Sequence, residues 1–345
     1  MMNLRVFLTL GILGCSLASD FAWAAPDLVI STYDSLASKS GLGGKLFPAF
    51  EKNCGCKVKV VSAGDAGTLA TRLELEARRA KPSSDLILGF DETLWGRVRP
   101  HVISFAPEGI SSVTPDLKQA LGPLLQEGFT PFDHGVFALM HDTQSKVAPP
   151  RSLDELLLPR MKKKFLLQDP RTSTPGLAFL FFTRSQYPQQ GAKGWESYWS
   201  KLSSQWLNLA PGWDQAYGMF LKGEAPLVWS YTTSEAYHQM NGDREGRYRA
   251  VVFPDAMPVQ IEGAAIVKGV EGKRLETAKK FLEFLLSKEV QAMIPEGNWM
   301  LPVRNDVQVP NPFKGLPRPS RLISLRSSGD ELKDTLARWN QAIRR

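Results

Sequence analysis

Short apolar runs alternate with amphipathic segments over the first third of the chain. Leu69, Leu73 and Ala77 recur at helical spacing between two such runs. Runs with the length of buried strands occur at 27–31, 57–62 and 85–88. Strands separated by helices in this order indicate a parallel, doubly wound sheet. The pattern therefore predicts an α/β fold.

An aspartate follows each of these three strands: Asp34, Asp65 and Asp91. The carboxyl ends of parallel strands meet at one edge of a sheet, where ligands bind. Three carboxylates there would form an acidic edge suited to a cationic or amino-bearing ligand. The alternative is that each aspartate caps a helix or a turn.

Two long extended segments, 128–142 and 258–267, are expected to cross between two lobes. Between them, Ser152 is expected to cap a helix and residues 164–167 to form a strand. The tail contains a Pro-rich linker at 309–319 and an amphipathic helix that starts near Asp330.

The loop at 168–176 leads into a helix of the second lobe. Pro175 suits the first helical position, which makes Thr174 the predicted N-cap. Hydroxyls and free N–H groups at a helix start form a site for an anion or a polar group. The alternative is a well-capped helix with Arg171 paired to Asp169.

Residues 212–238 are rich in aromatic side chains. A helix over 214–222 is expected to end at Gly223, and a buried strand over 225–230 places Tyr231 at its carboxyl end. These aromatics predict one wall of a small-molecule site, with core packing as the alternative. They are Trp213, Tyr217, Trp229, Tyr231 and Tyr237. A later helix is expected over 275–286, and a rigid loop over 294–303 carries Trp299.

The first 24 residues have the features of a secretory signal. Arg5 precedes an apolar run over 6–13, and Ala22-Trp23-Ala24 forms an A-x-A cleavage site. The apolar run is too short to span a bilayer. An alternative is lipoprotein processing, with Cys15 as a lipidated anchor.

Charge and composition exclude several classes of function. The net charge of +7 is unchanged by removing the leader, which carries one Arg and one Asp. The basic residues are scattered rather than arranged in a stripe, which argues against nucleic acid as a partner. The basic charge of the whole protein does not favour a cationic ligand. Such a ligand would need local aromatic faces and carboxylates to hold it.

Reactive and metal-binding motifs are missing from the sequence. The four histidines show no metal-ligand spacing, and no phosphate loop or nucleophile elbow follows a strand. Cys54 and Cys56 are expected to form a disulfide in an oxidising compartment. We therefore expect a binding protein rather than an enzyme, without a cofactor or a metal.

Three blocks carry a resemblance to a known family. Residues 212–238, QDPRTSTPG at 168–176 and IPEGNWMLPV at 294–303 together resemble the periplasmic thiamine-binding proteins of bacterial ABC transporters. The likeness runs from about Leu28 to Val303.

The resemblance implies a two-lobed periplasmic binding protein, type II-like, whose lobes are mainly parallel sheets flanked by helices. One lobe would contain 25–130 and 262–305, the other 131–261, and the tail 306–345. It also implies a monomer that binds thiamine or its mono- and diphosphates in the cleft and delivers them to an ABC permease.

The same resemblance implies a set of ligand-binding positions. They are Tyr33, Asp65, Ala66, Ser173, Thr174, Trp213, Tyr231, Tyr237 and Trp299. Two positions depart from the family pattern, because Ser40 stands where a Trp is found and Ala66 where a Gly is found.

Other small solutes remain alternatives to thiamine. A polyamine, a phosphorylated compound or another vitamin would suit the same fold, as would a sensor that serves no transporter. Genes for a permease and an ATPase beside this one would favour transport.

We predict that cleavage after Ala24 leaves a mature protein that starts at Ala25. Intact-mass measurement on protein from the native host checks this. A diacylglyceryl adduct on Cys15 would instead show a lipid-anchored protein.

Overall fold

The computed structural model describes residues 28–62, 64–79, 82–189 and 191–344. The predicted leader, with Cys15, lies outside the described residues. The described strands are β1 (Leu28–Thr32), β2 (Val58–Ser62), β3 (Leu86–Asp91), β4 (Thr130–Asp142), β5 (Phe165–Gln168), β6 (Asn208–Ala210), β7 (Leu227–Tyr231), β8 (Tyr248–Val251), β9 (Met257–Ile266), β10 (Leu301–Pro302) and β11 (Leu322–Ser324).

Helices flank these strands. The described α-helices are α1 (Asp34–Ala37), α2 (Gly43–Cys54), α3 (Ala66–Arg78), α4 (Trp95–Val98), α5 (Pro115–Leu121), α6 (Leu124–Glu127), α7 (Thr174–Gln186), α8 (Trp195–Leu202), α9 (Trp213–Leu221), α10 (Thr233–Met240), α11 (Gly272–Leu285), α12 (Lys288–Gly297), α13 (Asn311–Lys314) and α14 (Gly329–Ala342). None of the helices among the described residues is long and apolar enough to cross a bilayer.

The α/β prediction is confirmed. In the first lobe, β1 pairs in parallel with β2 and β3, as the strand–helix alternation predicts. In the second lobe, β5 pairs in parallel with β6 and β7. Antiparallel strands then join the two groups in the order β2-β1-β3-β9-β4-β7-β5-β6, with β8 and β10 paired to β4 and β11 to β9.

Strands β4 and β9 are the segments that connect the lobes. The first half of β4 pairs with β9, and its second half pairs with β7 and β8. Strand β9 pairs on its other side with β3. Because these strands are continuous, the predicted lobe boundaries at 130/131 and 261/262 fall within or at the start of a strand. The division into lobes by residue number stays a prediction.

Several local expectations need correction. Ser173, rather than Thr174, is the N-cap of α7, so Pro175 takes the second helical position. Ser152 precedes a short 3₁₀ turn rather than an α-helix. The predicted loop at 294–303 is half helical, because α12 continues to Gly297 despite Pro295.

The C-terminal region packs against the body of the molecule more than a linker would. Strand β11 pairs in parallel with β9, and α14 lies against α8 with Arg338 paired to Glu196. The Pro-rich segment itself contains α13.

A disulfide joins Cys54, the last residue of α2, to Cys56.

The two lobes touch where α3 meets the loop before α7. The backbone N–H of Gly67 donates to the carbonyl of Thr172 at 3.1 Å. A Cβ at position 67 would lie 2.5 Å from that carbonyl oxygen, closer than any real contact. Glycine therefore allows the two backbones to approach this closely.

We expect Gly67→Ala to hold the lobes further apart, because overpacking of this kind costs about 1–3 kcal/mol. Alanine favours the α3 helix itself, so any loss comes from the contact between lobes. Small-angle scattering should show a larger radius of gyration. Gly315→Ala is the control, since a Cβ there meets nothing within 4 Å. Equal radii for both variants would contradict the prediction.

Candidate ligand-binding site

A cleft of about 870 Å³ opens between the lobes, above the two connecting strands. Its walls include the ends of β1 and β7, the starts of α7 and α9, and the segment after α12. Volumes of this size accommodate small organic ligands. The cleft is therefore the candidate binding site.

Two aromatic rings form a stacked pair on the second-lobe wall. Trp213, the first residue of α9, stacks on Tyr217 with ring centroids 4.6 Å apart. Its indole N–H donates to the Ser230 hydroxyl at 2.8 Å, which holds the ring at one orientation. The half-buried Trp213 thus presents a fixed flat surface to the cleft.

A second aromatic pair contains one ring from each lobe. Tyr237 of α10 meets Trp299 edge to face, with centroids 4.7 Å apart. Trp299 follows α12 with φ at +54°, a left-handed conformation that bulky residues rarely adopt. Backbone outliers of this kind are concentrated at ligand sites.

Two tyrosines rise from strand ends at the cleft floor. Tyr231 stacks on the buried Phe137 at 4.7 Å, and its hydroxyl donates to Gln260 Oε1 at 2.5 Å. Tyr33 donates its hydroxyl to Glu262 Oε2 at 3.0 Å. Hydrogen bonds therefore fix both rings.

Among the described residues that line the cleft, four carry a carboxyl group and none is Lys, Arg or His. The four are Asp34, Asp65, Asp214 and Glu262. The whole chain carries +7, so the cleft is opposite in sign to the protein. The negative electrostatic potential of such carboxylates attracts cations and repels anions.

Asp65 ties the two lobes together. Its carboxylate accepts from the N–H of Ala66 at 2.7 Å, capping α3, and from the N–H of Trp213 at 3.2 Å. Burial raises the pKa of Asp65, and these hydrogen bonds partly offset that effect. The aspartate therefore acts as a helix cap and as a cleft residue at once.

Tyr33 adjoins a polar cluster that contains the half-buried Asn298 and the buried Glu262 and Asp133. Asn298 donates to Asp133 Oδ2 at 2.6 Å and to Glu262 Oε2 at 3.2 Å. Burial raises the pKa of Asp133 to about 7 and that of Glu262 well above its usual range. Repulsion from Asp133 adds to the effect on Glu262.

Seven of the nine predicted positions line the cleft. They are Tyr33, Asp65, Thr174, Trp213, Tyr231, Tyr237 and Trp299. The other two lie behind the wall: Ala66 is buried in the first turn of α3, and Ser173 is buried beside Asp65. The Ser173 hydroxyl makes no hydrogen bond of standard geometry among the described residues. The binding roles of all nine stay predictions.

The predicted acidic edge and the anion site differ from expectation. Asp91 does not line the cleft, because β3 is longer than predicted and buries its carboxylate against Thr93. Arg171 pairs with Asp169 and lies over the ring of Trp339, away from the cleft. No arginine therefore stands at the start of α7 to meet an anion.

Trp229 belongs to the core rather than to the site. It is fully buried, packs against Phe137 and Phe179, and donates its indole N–H to the Pro175 carbonyl. Tyr217 is nearly buried and supports Trp213 from behind, with its hydroxyl 2.8 Å from His238 Nε2. Some of the aromatic side chains in residues 212–238 therefore line the cleft, and others pack in the core.

Within the described residues, no group of three or more His, Cys, Asp or Glu side chains is arranged to hold a metal ion. Burial lowers the pKa of His238 to about 4, so this histidine is neutral at physiological pH.

The family of this chain follows from comparison with known proteins. A family model described as bacterial extracellular solute-binding protein matches residues 81–319, well over half of the sequence. The chain belongs to this family. It is also similar to thiamine-binding periplasmic proteins from Brucella abortus, at 38% identity, and from Escherichia coli, at 35%.

These similarities extend along nearly the whole chain. The Brucella alignment covers 94% of this chain and 92% of the relative, and the Escherichia coli alignment covers 94% and 95%. A solved periplasmic thiamin binding protein superposes with a TM-score of 0.81 at 34% identity, covering 92% of this chain and 96% of the other. The two-lobed solute-binding fold is therefore confirmed.

Three site residues escaped prediction from the sequence of this solute-binding protein: Gln260, Glu262 and Asn298. Gln260 and Glu262 are two positions apart in β9, so their side chains point to the same face of the sheet. Polar residues two apart in an otherwise apolar strand were the available signal. Asn298 lies next to Trp299, but its role depends on contacts with β4 and β9.

Proposed function

We propose that this protein captures thiamine in the interlobe cleft and delivers it to an ABC permease in the inner membrane. It would do so in the periplasm, as a monomer. The observation that carries the proposal is the cleft wall, where aromatic faces from both lobes lie beside carboxyl groups and none of the described lining residues is basic. The curated relatives named for thiamine binding support it.

The chemistry of thiamine suits such a wall. Its thiazolium ring is permanently cationic, and a cation over an aromatic face gains about 0.5–2 kcal/mol per good contact. Its flat aminopyrimidine can stack on a fixed ring such as Trp213. Carboxylates and amide oxygens, including those of Glu262 and Gln260, can accept hydrogen bonds from the pyrimidine amine.

Closure of the lobes would bring these groups around the ligand. Asp65 already bonds to the N–H of Trp213 across the cleft, and Gly67 to the carbonyl of Thr172. A closed surface that forms only when both lobes meet gives a permease a way to distinguish loaded protein. Lobe closure therefore links binding to delivery.

One part of the wall is more open than the family pattern implies. Ser40 lines the cleft with its side chain exposed, 3.3 Å from the Ser38 hydroxyl. A Trp at this position would add another aromatic face. Affinity for thiamine then depends more strongly on Trp213, Tyr231 and the Tyr237–Trp299 pair.

We also propose that thiamine mono- and diphosphate bind, with their phosphates at the start of α7. Thr172 and Thr174 line the cleft there, and the buried Ser173 hydroxyl lacks a standard hydrogen bond. A helix start favours negative charge by about 0.3–1 kcal/mol. The nearby Asp65 carboxylate opposes that attraction, so the phosphates should gain little over thiamine.

We predict that the protein prefers thiamine to a neutral analogue of the same shape. Two or three cation–π contacts should favour thiamine by about 1–4 kcal/mol, reduced by desolvation of the cation. Trp299→Leu and Tyr231→Leu should weaken thiamine binding more than binding of the analogue. Calorimetric titration of each variant with both ligands measures this difference.

Tyr187→Leu is the matched control for these variants, because Tyr187 stacks on Tyr198 outside the cleft. It should leave both affinities close to those of the unaltered protein. Equal losses for both ligands in the cleft variants would mean that the aromatics supply packing alone.

We predict that thiamine binds at least as tightly as either phosphate ester. Ser173→Ala should weaken the phosphate esters more than thiamine, by about 0.5–1.5 kcal/mol for a lost hydrogen bond. Ser185→Ala on the same helix is the control, since that hydroxyl bonds to the Phe182 carbonyl. Equal effects of Ser173→Ala on all three ligands would place the phosphates elsewhere.

A further inference from the structure

Three carboxyl groups form a row across neighbouring strands beneath the cleft. Asp91 of β3 is the register partner of Glu262 on β9, and Glu262 is in turn the partner of Asp133 on β4. All three residues are at most 5% exposed. We call Asp91, Glu262 and Asp133 the carboxyl row. Only Glu262 reaches the cleft surface.

The surroundings of the row supply hydrogen bonds but little positive charge. Tyr33 and Asn298 both bond to Glu262, and Asn298 also bonds to Asp133. Asp91 accepts from the hydroxyl and the N–H of Thr93. One oxygen of Asp133 has no hydrogen-bond partner within the described residues.

The other titratable groups named beside the row are carboxyl groups and a tyrosine, which cannot supply positive charge. Glu92, next to Asp91, is buried and accepts from the N–H of Ile261. Tyr231 and Asp65 lie within electrostatic range on the cleft side. The positive charge of Arg326 lowers the pKa of Glu92, and none of the described residues that line the cleft is basic.

Three buried carboxylates in adjacent register positions cannot all be ionised without a counter-charge. At least one proton must therefore stay on the row in the ligand-free protein. Burial raises the pKa of Asp91 to about 6 and that of Asp133 to about 7, and it raises the pKa of Glu262 well above its usual range. The row is thus poised to titrate near neutral pH.

We propose that the carboxyl row releases a proton when a cationic ligand enters the cleft, so that the ligand's positive charge replaces the proton beside Glu262. In this exchange one carboxyl O–H bond breaks, the proton passes to the solvent, and the carboxylate left behind faces the cation. The proposal rests on the proposed function, because it requires a ligand with a fixed positive charge. It assigns Glu262 as a residue that selects cations.

The direction of the pH dependence follows from this exchange. The bound cation lowers the pKa of the row, so the complex holds fewer protons than the free protein. Affinity must then rise with pH, by up to about tenfold per pH unit when one proton is released. It levels off above the pKa of Glu262 in the free protein, which burial and repulsion from Asp133 hold well above its usual range.

Calorimetry in buffers of different ionisation enthalpy counts the protons directly. Thiamine is titrated into the full-length mature protein at one pH in two such buffers. The slope of the observed enthalpy against the buffer enthalpy equals the number of protons released. We expect a release approaching one proton near pH 6.5, and none with the neutral analogue of the same shape.

Glu262→Gln tests the assignment to this side chain. Glutamine has nearly the same shape as the protonated acid and can still accept from Tyr33, but it cannot become a carboxylate. Thiamine affinity should fall roughly 10- to 150-fold, the range for a hydrogen bond to a charged group, and proton release should fall below half. Asp34→Asn is the matched control: it removes an exposed cleft carboxylate and should leave proton release unchanged.

Two outcomes overturn the proposal and separate it from the proposed function. If thiamine binds but no proton is released at each pH tested from 5 to 8, the exchange is excluded and thiamine capture is unaffected. Equal proton release for thiamine and the neutral analogue would show that closure, not charge, expels the proton. Absence of thiamine binding in the unaltered protein would exclude both proposals. The proton count of the unaltered protein decides the matter even if Glu262→Gln does not fold.

Discussion

Continuous hydrogen bonding along β4 and β9 is the constraint on which the rest of the structure depends. Each strand contributes to both lobes, so the sheet passes beneath the cleft without a break. An unpaired backbone N–H or C=O group in a buried strand costs free energy, and this cost keeps β4 and β9 in register. The side chains on their cleft face therefore have fixed positions, while the lobes above them meet at contacts such as those of Gly67 with Thr172 and Asp65 with Trp213.

The rigid aromatic faces depend on this framework. Tyr231 closes β7 and is supported by Phe137 of β4, and Trp213 is held by Ser230 of β7. Each ring has a packing partner behind it and a hydrogen bond at its polar atom. Rings held in this way lose little conformational entropy when a ligand stacks on them, which favours affinity.

The acidic residues of the cleft are opposite in sign to the net charge of the whole chain. Scattered Lys and Arg side chains give the protein its +7 and pair with acids on the outer surface, as Arg97 does with Glu74. Among the described residues of the cleft the acidic side chains have no basic counterpart, and Glu262 on the connecting strand β9 is buried. Burial raises its pKa, so a proton or a cation is needed to balance its charge. Electrostatics at the site is thus set by burial more than by net charge.

Local sequence determined much of this protein. Short apolar runs and helical spacing predicted β1, β2, β5, β7 and the helices α3, α9, α11 and α14 to within a few residues, because burial periodicity is a local property. Strand ends predicted Asp34, Asp65 and Tyr231 at the cleft, and the family resemblance added Tyr33. The three family blocks predicted Trp213, Tyr237 and Trp299 beside them.

Tertiary structure alone decided which of these side chains share an environment. Glu262 and Asp133 are 129 positions apart and meet only through the pairing of β9 with β4. Arg171 turns towards Asp169 and Trp339, and Asp91 is buried by a strand longer than its apolar run. Register between distant strands and the direction of a side chain depend on contacts made across the whole fold, and no local pattern carries that information.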